Sequence, residues 1–298
     1  MDRITKFMAY NGKVSIICAS TTDLIQKIRL LHDLTPTTTA VMGRFVTISG
    51  IMGHTEIKEK EDSITIQIKG NGPVGAIVSV VKNNGNISEI KSYIENPLVE
   101  LPLKENGKID VGGAVGNNGF LNIIKENELT EIGYNGLVPL VSGEIAEDFT
   151  EYFAKSKQKP TVIALGVLVN KNGVESSGGY MINLMPDATE QEIIKIEKAL
   201  ESASSISKML SDKLSLEEIA KIVTGDENVV VIEDNLKIEY RCDCSKEKFE
   251  KGLISLGKEE IKKIIEEDGK ANTKCHFCNK EYIFDKHDLE KILNILNN

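Results

Sequence analysis

The sequence contains no tryptophan, and all aromatic residues together make up 5% of the chain. Single-strand nucleic-acid platforms stack bases on exposed rings, so this scarcity argues against one. An excess of positive charge is missing too. The 36 Lys and Arg face 45 Asp and Glu, for a formal net charge of −9. Lys and Glu interleave along most of the chain, and no basic cluster stands out to attract a phosphate backbone. No nucleic-acid partner is expected. No apolar run approaches the roughly 20 residues of a membrane span. The first nine residues lack a charged segment followed by an apolar one, so no signal peptide is expected. The expectation is a cytoplasmic protein without a membrane partner. The four histidines are scattered. No Ser-His-Asp or Cys-His arrangement is evident, and no enzymatic activity is expected.

What is present suits a globular protein of more than one domain. The chain has 298 residues, of which 41% are hydrophobic, ample for a sizeable core. Residues 1–184 read as one mixed domain. An apolar β-rich run at 14–19 precedes a helix over 22–34, with Leu24, Ile25, Ile28 and Leu31 at helical spacing and Thr21 or Thr22 as N-cap. Pro36 ends it, and 37–52 is a second, weaker helical candidate. Ile64, Ile66 and Ile68 alternate with Thr65, Gln67 and Lys69, the pattern of a half-buried strand. The turn at 70–75, a strand at 76–82 and a turn at 83–85 complete a β-meander. Ser142 is a candidate cap for a helix reaching Lys157. Two strands at 161–170 and 179–184 follow, joined by a Gly/Ser-rich turn.

Residues 186–225 change character. Asp187 with Glu190 and Ser215 with Glu218 look like capping boxes, and Gly225 stands where a C-terminal glycine belongs. This stretch reads as a polar helical connector, marginal on its own. Residues 229–298 form a third unit. A β-rich run leads through 237–240 to Cys242. Ser245 caps a helix carrying Phe249, Leu253 and Leu256. A second helix carries Ile261, Ile264 and Ile265 and stops at Gly269. A last helix from about Lys286 carries Leu289, Ile292, Leu293 and Leu296. A unit this small usually needs a staple such as a metal.

Four of the five cysteines lie in that unit. Cys242 and Cys244 form C-x-C, thirty residues intervene, and Cys275 and Cys278 form C-x-x-C. Four thiolates satisfy tetrahedral Zn2+ with no open position. In a reducing compartment, clustered cysteines point to metal ligands or redox sensors before structural disulfides. From spacing alone a passive zinc staple is favoured, with a redox switch or no metal as alternatives. Iron–sulfur is disfavoured by C-x-C in a helical surround. Each pair is close enough in sequence to form its own disulfide. Zinc-held thiolates react with oxidants, and structural zinc contributes roughly 10–16 kcal/mol. Oxidation at such a site would become an unfolding event.

Other features read more plainly. His276, inside the C-x-x-C turn, and His287 are surface residues, redundant beside four cysteines. Cys18 lies in an apolar run and reads as a small buried hydrophobe. Gly70-Asn-Gly-Pro-Val-Gly75 matches G-x-G-x-x-G, but the residues that follow read as a strand and not as the required helix. The Gly-rich stretch 112–119 reads as turns.

Taken in order, several stretches resemble the thirty-three-kilodalton heat-shock protein family of redox-regulated holdase chaperones. They are Gly72-Pro-Val-Gly-Ala-Ile, Asp110-Val-Gly-Gly-Ala-Val-Gly, Pro139-Leu-Val-Ser-Gly-Glu-Ile-Ala-Glu-Asp-Phe and Ala164-Leu-Gly-Val-Leu-Val. Cys242-Asp-Cys-Ser, Leu256-Gly-Lys-Glu-Glu, Glu266-Glu-Asp-Gly and Cys275-His-Phe-Cys extend the match along essentially the whole chain. The resemblance implies an α+β fold in three parts. These are a mixed α/β core with a β-meander at 1–185, a helical linker at 186–228, and a small four-cysteine zinc-binding redox-switch domain at 229–298. It implies one Zn2+ held by Cys242, Cys244, Cys275 and Cys278 in a reduced, inactive form. Peroxide with heat, or hypochlorous acid, would then form the disulfides Cys242–Cys244 and Cys275–Cys278 and release the metal. The linker and C-terminal unit would lose structure, and active homodimers would hold unfolding client proteins without ATP. Client-contact residues do not transfer, although the linker and the apolar stretch 160–184 suggest where they lie. Two other readings of the cysteines remain: a zinc-ribbon nucleic-acid binding module, and a thiol–disulfide oxidoreductase using Cys275 and Cys278.

Overall fold

The computed structural model describes residues 2–57, 59, 62–126 and 134–297. The chain divides into two compact units, Met1–Tyr240 and Arg241–Asn298. The fold is mixed α and β with a cysteine cluster in the C-terminal unit, as expected for the α+β class.

The large unit begins with a hairpin of β1 (Arg3–Ala9) and β2 (Val14–Ser20), in register from Arg3 opposite Ser20 to Ala9 opposite Val14. The β2 residues from Val14 to Ala19 are all buried. Both faces of this strand are covered, which is why its sequence is a continuous apolar run without alternation. Helix α1 (Thr22–His32) follows. Its N-terminus is not capped by Thr21 or Thr22. The Asp2 carboxylate accepts from the amides of Asp23 at 3.1 Å and Leu24 at 2.5 Å, placing negative charge where the helix dipole favours it. The Thr21 hydroxyl bonds instead to those of Thr47 and Ser177.

Helix α2 (Pro36–Glu56) is longer than the sequence pattern suggests. Pro36 opens it: Thr35 is the N-cap and accepts from the Thr38 amide at 3.2 Å, and proline at the first helical position leaves no donor unpaired. Every residue from Thr37 to Gly53 except Arg44 is buried. A helix covered on all sides has no polar stripe, so periodicity undersells it. At Gly50 an added Cβ would stand 2.1 Å from Cδ1 of Ile238, which marks the close approach of helix to sheet. The hydroxyls of Thr35 and Thr38 donate to the carbonyls of Val99 and Pro97, and that of Thr37 accepts from the Leu101 amide. The threonines thereby fasten the 97–101 loop to the helix start.

The meander follows as β3 (Ser63–Lys69), β4 (Ala76–Asn84) and β5 (Ile87–Ile94). Ile64, Ile66 and Ile68 are buried as their alternation predicts. A short helix α3 (Val111–Val115), strands β6 (Phe120–Glu126) and β7 (Tyr134–Pro139), and helix α4 (Ala146–Ser156) come next. Ser142 does not cap α4. The buried Asp148 carboxylate turns back to accept from the amides of Val141, Ser142 and Ile145, at 2.7, 3.1 and 2.9 Å. Strands β8 (Thr161–Asn170) and β9 (Gly173–Leu184) form a hairpin paired as far as Asn170 opposite Gly173. The stretch expected as a Gly/Ser turn is therefore strand: Ser176 to Gly179 are buried, and small residues let helices approach there.

Three helices make up the expected linker: α5 (Glu190–Ser202), α6 (Ile206–Ser211) and α7 (Leu216–Thr224). The capping box at α5 uses Thr189 with Glu192 instead of Asp187 with Glu190. The box of Ser215 with Glu218, and Gly225 at φ 69°, stand as the sequence indicates. These helices lie on the sheet. Ile196, Ile206, Met209, Leu216, Ile219, Ala220 and Val223 form one apolar layer with Phe7, Ile16, Cys18, Tyr180 and Ile182. Strand β10 (Val230–Tyr240) closes the unit. It runs parallel to β5 and antiparallel to β1, so the ten strands form one sheet ordered β7-β6-β3-β4-β5-β10-β1-β2-β9-β8. Residues 230–240, expected in the third unit, thus belong to the interior of the large sheet. Their pairing partners lie far away in sequence, which local reading cannot detect.

Arg44, the one charge within the buried span of α2, donates to the Glu144 carboxylate at 2.5 Å. Lys104 reaches the other carboxylate oxygen at 2.5 Å and Asp110 at 3.3 Å. Burial works against ionisation of Glu144, but the Lys104 and Arg44 bonds outweigh it and hold its carboxyl below the usual range. A lowered native pKa stabilises the fold above the unfolded value of about 4.3, and that stabilisation is lost as pH falls through the native value. Glu144→Gln is therefore expected to lower stability at pH 7 by on the order of 1 kcal/mol. Urea midpoints of variant and parent should converge as the pH drops below about 4.3; a constant gap across pH would refute this.

Candidate metal centre

The C-terminal unit is built around its cysteines. Cys242 and Cys244 lie on the extended stretch before α8 (Lys246–Ile254). Ser245 caps α8 by accepting from the Lys248 amide at 3.3 Å, as its position indicates. Helix α9 (Lys258–Glu267) ends at Gly269, where φ is 63°. Strands β11 (Ala271–Lys274) and β12 (Glu281–Phe284) then form a short hairpin, and α10 (Lys286–Ile295) completes the unit. Ile261, Leu289, Ile292, Leu253, Tyr282 and Phe284 are its buried apolar core.

Cys275 and Cys278 sit in the tip of the β11–β12 hairpin. The Cys275 amide donates to the Lys280 carbonyl at 2.9 Å, and the Asn279 amide to the Cys275 carbonyl at 2.8 Å. Asn279 takes φ 58°, a left-handed conformation asparagine tolerates. This turn brings its two sulfurs to the C-x-C pair. Cys242 Sγ stands 3.7 Å from Cys275 Sγ, and Cys244 Sγ 3.3 Å from Cys278 Sγ. All four sulfurs lie within 4.8 Å of one another. A tetrahedral Zn2+ with bonds of about 2.3 Å sets its sulfurs roughly 3.8 Å apart. The two closest separations fall just short of that edge and none exceeds 4.8 Å, so size, number and softness of the donors fit such an ion. His276 and His287 are exposed, and neither belongs to the cluster.

Each sulfur has its own surroundings. Burial, with the neighbouring thiols, pushes the Cys242 thiol up. Burial opposes ionisation of Cys244 as well, but the Tyr282 hydroxyl and the neighbouring thiols hold it down at about 7. The Tyr282 Oη lies 2.9 Å from the Cys244 carbonyl and 3.2 Å from its sulfur. Nothing in the sequence singles out this tyrosine. Its side chain faces the cysteines only because β12 turns Tyr282 and Phe284 inward and leaves Ile283 59% exposed.

The remaining sequence candidates are structural. Cys18 is fully buried in the apolar layer under α5–α7, and that burial pushes its thiol up. The amides of Gly72 and Val74 donate to the carbonyls of Val115 and Ala114 at 2.9 and 3.2 Å. An added Cβ at Gly72 would stand 2.2 Å from the Ala114 oxygen. The Gly72 and Val74 amides are thus spent inside the protein, and strand β4 follows, not a helix. A cleft of about 810 Å3 in the large unit is lined by Lys6, His54, Glu56 and Asn183, among others. Its Glu56 is paired with Lys125 and Lys157, and its His54 with Glu233.

Comparison with known proteins places this arrangement. Residues 2–285 match the family described as Hsp33 protein. The chain belongs to the Hsp33 family. It is 43% identical over 295 residues to a 33 kDa chaperonin of Thermoanaerobacter sp. (strain X514), covering 99% of this chain and 98% of that one. It is 41% identical over 291 residues to the 33 kDa chaperonin of Bacillus subtilis (strain 168), covering 97% of each. The crystal structure of a 33 kDa chaperonin (heat shock protein 33 homolog) from Thermotoga maritima superposes with a TM-score of 0.87 at 31% identity, over 98% of both chains. Hsp33 proteins are chaperones of the stress response, in agreement with the resemblance drawn from the motifs.

If the four sulfurs form one cation site, each is needed. Cys275→Ala is expected to reduce bound divalent metal from one per chain to well below that, as read by elemental analysis of the purified protein. Full retention of metal would remove Cys275 from the site.

Proposed function

We propose that this Hsp33 protein is a redox-regulated, ATP-independent holdase. In this reading it is inactive when reduced and zinc-bound, and oxidation of four cysteines activates it. The observation that supports the reading most directly is the convergence of four sulfurs within 4.8 Å in a unit whose buried apolar core is small. Cys242, Cys244, Cys275 and Cys278 would hold one Zn2+, which keeps bound thiols deprotonated and contributes to folding when present.

The chemistry then belongs to the cysteines. One thiolate of a pair attacks hydrogen peroxide and becomes a sulfenic acid; its partner displaces water and closes the disulfide. Each pair of thiolates gives up two electrons, and one peroxide takes them up with two protons from solvent and becomes two waters. The pairs in this proposal are Cys242–Cys244 and Cys275–Cys278. The four sulfurs lie close enough together that distance alone does not select them, so the pairing itself is part of the test. With its sulfurs tied up in disulfides, the site no longer holds a cation. The hairpin tip and the extended stretch before α8 then lose their fastening, and a unit this small cannot stay folded on its core alone.

The segment 186–228 acts in this reading as a releasable cover. Its helices bury apolar side chains against Phe7, Ile16, Cys18, Tyr180 and Ile182. Release would expose both surfaces together. Unfolding proteins, which display apolar side chains themselves, are the partners such a surface would take. The oxidised form would work as a homodimer, in the cytoplasm.

Treatment with peroxide at moderate heat tests the whole scheme. Four thiols should disappear, one zinc per chain should be released, and peptide mapping should find the Cys242–Cys244 and Cys275–Cys278 bridges. Suppression of aggregation of a heat-unfolding client should then rise from near zero. Equal suppression by reduced and oxidised protein would sink the redox switch. Retained zinc would return the centre to a passive staple.

A further inference from the structure

Helix α5 is the thinnest part of the layer over the sheet. Its buried residue is Ile196, whereas the shorter α7 buries Leu216, Ile219, Ala220, Val223 and Thr224. Two hollows adjoin it. The cleft of about 810 Å3 lies between the end of α2, strands β1, β2 and β9, and the chain from Met185 to Ile193. A second hollow, of about 280 Å3, lies between Ile193, Ile196 and Leu200 of α5 and Ala154, Val162 and Ile182 of the core. Pro160, Leu184 and Ile193 line both, so the two hollows meet at these side chains. The larger is within the roughly 300–1,000 Å3 of small-molecule sites.

The two hollows differ in chemistry. The smaller is lined almost wholly by apolar side chains, and Glu197, its one charged residue, is exposed. The larger has buried apolar walls at Ile17, Phe153 and Met181 and a charged rim. On that rim Glu56 is paired with Lys125 and Lys157. Glu233 lies in register with Lys6 across β1 and β10, but its carboxylate meets His54 at 2.7 Å. Lys6 and Lys159 are left without an ion-pair partner among the described residues. The rim thus carries a surplus of positive charge. Asn183 adds a donor: its side-chain oxygen accepts from the Thr161 hydroxyl at 2.9 Å, and its amide nitrogen has no partner among the described residues.

We propose that this cleft binds a straight-chain amphipathic carboxylate, a medium-chain fatty acid in chemical class. Its carboxylate sits at Lys6, Lys159 and Asn183, and its chain passes Leu184 and Ile193 toward the apolar hollow beside α5. Charge and apolar wall each select one half of such a ligand. A neutral chain leaves the lysines unanswered, and a small anion leaves the apolar walls uncovered. Each CH2 seated on those walls improves affinity by up to about four-fold. The ligand also touches two parts of the chain at once. Ile17, Phe153 and Met181 belong to the core, whereas Met185, Ala188 and Ile193 belong to the segment leading into α5. That segment is fastened by the Met185 amide to the Lys13 carbonyl at 2.9 Å and by Lys13 to Glu192 at 3.0 Å. A ligand that needs both walls binds the docked segment and stabilises it by mass action.

Calorimetric titration of the reduced full-length protein with decanoate, below its micelle-forming concentration, tests the site. One saturable site per chain is expected, with octanoate bound roughly ten-fold more weakly. Decyltrimethylammonium, which carries the same chain and the opposite charge, should not bind there. Lys6→Gln with Lys159→Gln should lower decanoate affinity at least ten-fold, whereas Lys108→Gln, outside the cleft, should leave it unchanged. Hydrogen exchange should slow across residues 185–196 on adding decanoate to the parent, and not in the double variant. Absence of saturable binding overturns the proposal. So does equal binding of decanoate and decyltrimethylammonium, parental affinity in the double variant, or binding without protection of 185–196. In the proposed function, occupancy would also slow activation by peroxide, a consequence that rests on release of segment 186–228. Binding with protection but unslowed activation defeats that release and leaves the site standing. Failure of binding defeats the site and leaves the redox reading intact.

Discussion

Four sulfur atoms within 4.8 Å of one another can all be thiolates only with a cation among them. Without one, ionised sulfurs at these separations repel strongly, and most must stay protonated. The C-terminal unit is arranged around that constraint. Its two cysteine motifs sit on a stretch before a helix and at a hairpin tip, two pieces of chain that share only a thin apolar core. Lys246 adds an ion pair to Asp288 at 2.6 Å and a stacked contact with Phe284, but exposed pairs of this kind contribute little. The sulfur cluster is therefore where a small chemical change can have a large structural effect.

The large unit solves a different problem. A ten-stranded sheet presents two broad apolar faces, and each needs its own cover. On one side α2 supplies a helix that is buried almost all round, with its single interior charge, Arg44, paired with Glu144. On the other side α5, α6 and α7 lay amphipathic faces over β1, β2 and β9. The two covers differ in kind. Helix α2 is enclosed by strands and helices contributed from most of the unit. The α5–α7 layer comes from one continuous segment, and its outer face is polar. A layer of that sort can be removed without dismantling the sheet, which is why the proposed function assigns release to it.

How much of this was legible in the sequence follows from how local each signal is. The clustering of Cys242, Cys244, Cys275 and Cys278 was legible because the spacing within each pair is written within four residues. The box of Ser215 with Glu218 and the cap at Ser245 are equally local, and both stand. What escaped depends on distant partners. Asp2 caps α1 from across a hairpin, and Asp148 reaches back over a loop to accept from four amides. Strand β10 was assigned to the wrong unit because parallel pairing with β5 joins segments more than a hundred residues apart. Helix α2 was undersold for the opposite reason: its burial is so complete that no periodicity remains to read.

Tyr282 shows the same limit at the scale of one side chain. In the sequence it is an unremarkable aromatic in a short run, and nothing there singles it out. The structure buries its ring in the core of the C-terminal unit. The polar end of a buried tyrosine needs a partner, and here that partner is a cysteine 38 positions earlier in the chain. A side chain that completes a core with one end and contacts a clustered sulfur with the other ties the core to the cysteines. Any rearrangement of the β11–β12 hairpin that withdraws the ring also withdraws the hydroxyl. Packing of the hairpin and hydrogen bonding at Cys244 are consequently linked.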